Sequence, residues 1–159
     1  MKREVFILIL LCVLPRISGI GVSGESPAHS PDWKYEIGNS VWSVSINQDG
    51  YVAAGSGDKY VRLFDRKGDL LWKYEAGDSV ESVSINQDGY VAAGSINGYV
   101  YLFDGKGDLL WKYKTGESVS ASINQDGYVA AGSFDDCVYL CLFCVNLKIC
   151  YGDMVATVS

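Results

Sequence analysis

The chain is short of the residues that most side-chain chemistry and most anion binding require. Its 159 residues include a single histidine, His29, and its 13 basic residues are outnumbered by 19 acidic ones. Without a second histidine, neither a Ser-His-Asp nor a Cys-His nucleophilic unit can be assembled from this chain. Nucleic-acid binding needs a basic stripe that displaces counterions from phosphate, and the acidic balance excludes one. Proline is also scarce: of three in all, Pro27 and Pro31 fall within Glu25 to Asp32, a stretch that reads as an extended linker. The apolar run Val5 to Leu14 is too short to span a bilayer as a helix. With Lys2 and Arg3 before it and small residues after it, it has the layout of a secretory signal peptide.

Cleavage after Gly24 is therefore expected, giving a secreted, periplasmic or cell-surface chain. The alternative is a retained signal anchor, the one membrane contact the sequence suggests. Removing residues 1–24 leaves 10 basic against 18 acidic residues. Cys12 lacks the small residue that a lipobox places before its cysteine, and it leaves with the signal. The other four cysteines, Cys137, Cys141, Cys144 and Cys150, crowd toward the C-terminal end. They lack the paired C-x2-C knuckles of structural zinc, so three readings stay open: a metal site, tail-stapling disulfides in an oxidising compartment, and incidental thiols.

What the chain has in abundance is repetition. Ser-Ile-Asn-Gln-Asp-Gly-Tyr-Val-Ala-Ala-Gly-Ser occurs unchanged at Ser45 to Ser56, Ser84 to Ser95 and Ser122 to Ser133, at spacings of 39 and 38 residues. Trp33 to Leu71 aligns with Trp72 to Leu110 at 31 of 39 positions, the first copy differing at Ile37, Asn39, Trp42, Gly57, Asp58, Lys59, Arg62 and Arg66. A third copy starts at Trp111, loses one residue near Ser120 and leaves the pattern after Leu140. A period near 40 residues is that of one supersecondary unit.

Within the second copy, Val80 to Ile85 alternates, predicting a strand with Glu81, Val83 and Ile85 on one face and Val80, Ser82 and Ser84 on the other. Asn86-Gln87-Asp88-Gly89 is a hairpin signal, since glycine accepts the positive φ that such a turn needs. Tyr90 to Gly94 predicts a second strand whose small residues suit close packing against another sheet. Tyr99 to Phe103 and Leu109 to Tyr113, joined by Asp104-Gly105-Lys106-Gly107, predict the third and fourth.

Four short antiparallel strands per unit make a blade, and one blade alone buries too little apolar surface to stand by itself. The expected fold class is all-β, with about three tandem four-stranded blades of β-propeller type, incomplete or open. Residues 1–24 are read as signal, 25–32 as linker, 33–71, 72–110 and 111–140 as repeats, and 141–159 as an aberrant Cys-rich tail.

Tyr99-Val-Tyr-Leu-Phe-Asp-Gly-Lys-Gly-Asp-Leu-Leu-Trp111 resembles the repeat of quinoprotein-like (PQQ-like) β-propellers. Val83-Ser-Ile-Asn-Gln-Asp-Gly-Tyr-Val-Ala-Ala-Gly-Ser95 resembles the hairpin of WD40-like repeats, without the Gly-His and Trp-Asp signatures of that family. The resemblance spans roughly Trp33 to Leu140 and implies a fold. For activity it leaves a non-catalytic protein-binding or assembly scaffold, expected without a cofactor, or a fragment of a PQQ-dependent oxidoreductase using PQQ and Ca²⁺. No residue set for the quinone is present to carry over. A truncated or degenerate gene product is the third reading.

Propellers typically close with about four to eight blades, so three blades leave two sheet faces uncovered. Trp33 to Glu36 is a spare copy of the fourth strand, and the third repeat breaks down where its own should come. Self-association is one expectation, each chain lending Trp33 to Glu36 to the next chain's third blade; a fragment of a longer propeller is the other. The candidate ligand-facing residues are those of the one loop that changes between copies: Gly57, Asp58 and Lys59; Ile96, Asn97 and Gly98; Phe134, Asp135 and Asp136. Asp49, Asp88 and Asp126 occupy identical turns, which is explanation enough for them. The Asn-x-Asp-Gly turn lacks the ligand spacing of a calcium loop. No catalytic, metal or cofactor residue is expected.

Overall fold

A computed structural model describes residues 30–142. The expected signal peptide, most of the linker with His29, and Cys144 and Cys150 lie outside the described residues. Those described form eleven strands and no helix. β1 (Val41–Ile46), β2 (Val52–Ser56), β3 (Tyr60–Phe64) and β4 (Leu70–Glu75) make one antiparallel sheet in that order. β5 (Val80–Ile85), β6 (Val91–Ser95), β7 (Tyr99–Phe103) and β8 (Leu109–Lys114) make the second. β9 (Val119–Ile123), β10 (Tyr128–Ser133) and β11 (Val138–Leu142) make a third, three-stranded among the described residues. This is the expected all-β, open blade array.

Sheet and repeat are offset by one strand, because each sequence repeat opens on the outer strand of the sheet before it. The hairpins are built as the turn residues require. Gly50, Gly89 and Gly127 sit at φ 85°, 85° and 84°, a left-handed conformation that is costly for residues with a Cβ. The Oδ1 atoms of Asn47, Asn86 and Asn124 accept from the N–H groups of Tyr51, Tyr90 and Tyr128 at 3.0, 2.9 and 2.8 Å.

The simple alternation expected for Val80 to Ile85 is broken by a bulge. Pairing slips between Val80 and Ser82, and between Val41 and Ser43 in the first blade. The extra residue is Glu81 or Trp42, and it turns Val80 onto the same buried side as Val83 and Ile85. In the third blade Val119 and Ser120 pair without a slip, so the residue the third copy lacks is the bulge residue itself.

The blades bury their apolar faces on one another. Ala53, Val61 and Leu63 of the first meet Val80, Val83, Ile85 and Phe103 of the second in one cluster. Ala92, Val100 and Leu102 of the second meet Val119, Ala121, Ile123 and Val129 of the third in another. Each blade thus has a leading face, toward the next repeat, and a trailing face.

A polar ladder sets the spacing between blades. Ser43 and Ser45 accept from the N–H of Val83 and Ile85 at 3.0 and 3.2 Å; Ser82 and Ser84 accept from Ala121 and Ile123 at 2.8 and 3.2 Å. Asn47 donates to the Asn86 carbonyl and Asn86 to that of Asn124. A buried Val, Leu or Phe contributes roughly 1.5–3 kcal/mol against about 1 kcal/mol for a neutral hydrogen bond, so apolar burial supplies most of the stability and the serines fix the register. β11 runs on to Leu142, and Cys141 is buried in the second cluster at the place that Phe103 holds in its own blade. The Cys-rich segment therefore begins inside the third blade.

Candidate functional site

The three variable loops join the second strand of each blade to the third and lie on one rim. In each, the first residue donates its N–H to a residue just ahead of the blade's first strand: Gly57 to Ser40, Ile96 to Ser79, and Phe134 to Ser118. The third residue is left-handed in all three, with Lys59 at φ 76°, Gly98 at 75° and Asp136 at 64°. Nothing in the sequence signals this at Lys59 and Asp136, since glycine marks the position in the second copy alone.

The middle residues spend their side chains on the fold. Asp58 forms a two-pronged ion pair with Arg62, one hydrogen bond measuring 3.0 Å, and accepts from the Tyr60 N–H at 3.2 Å. Burial raises the pKa of this carboxyl, but the bonds from Arg62 and Tyr60 outweigh it, and the group titrates below the ordinary carboxylate range. Asn97 donates to the Ala76 carbonyl at 2.8 Å, and the Tyr101 hydroxyl donates to the same oxygen at 2.6 Å. Burial pushes the Tyr101 hydroxyl pKa up. Asp135 accepts from the Tyr139 hydroxyl and the Gly116 N–H, both at 2.7 Å. The Tyr139 bond leads in holding its pKa at about 2.

Asp58 therefore goes with Arg62 as Asn97 goes with Tyr101 and Asp135 with Tyr139. Position 62 was among the differences between copies, and the joint exchange of Asp-Arg for Asn-Tyr was the signal that these differences form a pair. What the loops leave to solvent is Lys59, Ile96, Phe134 and Asp136. Phe134 is 74% exposed, and Ile96 is exposed at the equivalent position. Two exposed apolar side chains thus stand at equivalent places on one rim, and Lys59 and Asp136 are exposed on the same set of loops.

The hairpin aspartates Asp49, Asp88 and Asp126 are exposed at the opposite rim. Among the described residues, no three His, Cys, Asp or Glu side chains come together as a metal set. Cys137 is exposed and Cys141 buried.

Residues 34–65 match the family model described as WD domain, G-beta repeat. Over those residues the first repeat is WD40-like. The matched span opens on the outer-strand sequence ahead of β1 and ends on Phe64-Asp65, where the aromatic and acidic character of a Trp-Asp pair is kept without the tryptophan. No curated protein matches the chain. The three sheets stacked on one another, with a WD40-like match in the first, are blades of β-propeller type.

Proposed function

We propose that the protein is an extracytoplasmic, non-catalytic scaffold that holds a protein partner on the rim formed by its variable loops. The observation that carries this reading is the exposure of Ile96 and Phe134 at equivalent positions, each followed by a polar residue, Asn97 or Asp135, whose side chain is already used to brace the blades. A loop braced from within loses little entropy on binding, and exposed aromatic and aliphatic anchors are what protein interfaces use. The chemistry of the chain supports the same reading: one histidine, an excess of acidic over basic residues and, among the described residues, no shared donor set give a reaction little to work with.

The test is capture with the full chain as bait, comparing the native protein with Ile96→Asp and Phe134→Asp. A protein retained by the native rim and released by both variants supports the proposal, and equal retention refutes it. N-terminal sequencing of the exported chain tests processing after Gly24. Titration with PQQ and Ca²⁺ separates this reading from the oxidoreductase one, for which a bound quinone chromophore is required.

A further inference from the structure

The two ends of the array are unfinished in complementary ways. On the leading face of the third blade, Ala130, Gly132, Val138 and Leu140 take the places of Ala92, Gly94, Val100 and Leu102. Val100 and Leu102 are 2% and 0% exposed, whereas Val138 and Leu140 are 76% and 37% exposed. On the trailing face of the first blade, Val44 and Ile46 are 66% and 68% exposed, against 6% and 8% for Val83 and Ile85 in the second. Each end displays the residues that its counterpart buries within the chain.

The polar ladder is interrupted in the same way. Ser120 and Ser122, which hold the places of Ser82 and Ser84, are exposed. No preceding blade among the described residues offers hydroxyls to the N–H groups of Val44 and Ile46. The outer strand is divided as well. Trp33 and Tyr35 lie over Phe64 with ring centroids 5.8 and 4.9 Å away, as Trp72 and Tyr74 lie over Phe103 at 5.4 and 4.8 Å. Trp33 to Glu36 thus occupies the place of an outer strand with no blade of its own among the described residues, and it is not paired in a sheet. β11 is the outermost strand of a blade that lacks its fourth among the described residues.

We infer that a second copy of this chain completes both ends. The trailing face of its first blade seats on the leading face of the third blade here, and the reverse contact closes the pair into a ring. The three blades of the described residues, taken twice, supply six, within the four to eight from which propellers typically close. The contact continues an interface the chain already makes twice. Ser120 and Ser122 accept from the second copy's Val44 and Ile46, and its Trp33 to Glu36 adds to β11 with Leu140 opposite Trp33, as Leu63 is opposite Trp72. This rests on the scaffold reading but uses different surfaces from the loop rim.

Glycine 132 gives the test. A Cβ at Gly94 would strike the third blade, whereas a Cβ at Gly132 meets nothing within 4 Å in the single chain. The Gly132→Val change therefore leaves the blade intact and obstructs the seat of a second copy. Light scattering on the purified full chain should give twice the mass of one chain. Gly132→Val should halve that mass while keeping the strand-type circular dichroism, and Phe134→Asp should leave it at two chains even where it abolishes partner capture. A folded native monomer overturns the inference, as does a two-chain mass unchanged by Gly132→Val or a mass that climbs with concentration into open polymers.

Discussion

Replacing Gly94 by alanine puts one methyl group where the second and third blades meet. The new Cβ would lie on the Val119 carbonyl oxygen, 2.7 Å from Ser82 Oγ and 2.9 Å from the Val119 carbonyl carbon. Ordinary carbon–oxygen contacts are about 3.3 Å or longer, and the obstacle is backbone, so the blades must part by about 1 Å. That opening breaks or stretches the bonds from Ala121 N–H to Ser82 and from Ile123 N–H to Ser84, now 2.8 and 3.2 Å, at about 1 kcal/mol each. It also forfeits a quarter to a half of the dispersion contact along the seam. The loss should come to about 3 kcal/mol, the upper end of ordinary overpacking. For a domain of this size that is about 10 °C in Tm. Gly105→Ala is the control: its nearest atom is the Gly89 carbonyl oxygen at 3.7 Å, and its Tm should shift by less than about 2 °C. Thermal unfolding followed by circular dichroism distinguishes the two. Equal Tm values for Gly94→Ala and Gly105→Ala would refute the claim that close approach of successive blades is what these glycines are for.

Asp58→Asn should destabilise by about 3 kcal/mol, because it strands the buried Arg62 guanidinium; adding Arg62→Tyr, which restores the pair used in the second blade, should recover most of that loss in denaturant titrations. Tyr101→Phe should cost less than about 1 kcal/mol, since Asn97 still donates to the Ala76 carbonyl, and Asn97→Ala with Tyr101→Phe should cost more than the two single changes together because the carbonyl is then orphaned. The Asp135 carboxyl is held at about 2, below its ordinary value near 4. Its bonds to Tyr139 and Gly116 are in place above that ordinary value and are lost as pH falls toward 2, so an NMR titration of its carboxyl carbon should show a midpoint near 2 and would contradict the geometry with a midpoint near 4.

The residues legible in the sequence were those whose role is satisfied inside one repeat. Asn-Gln-Asp-Gly builds its turn from its own atoms, Tyr99 to Phe103 forms a strand with the bounds expected, and the paired alanines and Gly94 announced a close neighbour. What was not legible depends on a second segment. The bulge at Glu81 is invisible to a period-two count, because a single unpaired residue changes the facing of Val80 without changing the composition around it. Asp58 read as a loop tip because its partner lies on the following strand. Gly55, Gly94 and Gly132 sit in identical words of sequence, yet Val80 crowds the first, Val119 the second and nothing the third. A repeated sequence specifies the unit and the way units join, whereas its position in the array decides which of those joints are filled. The residues that most need a partner are therefore the ones the sequence makes look most ordinary: Val44, Ile46, Val138 and Leu140 are core residues by pattern and surface residues by position.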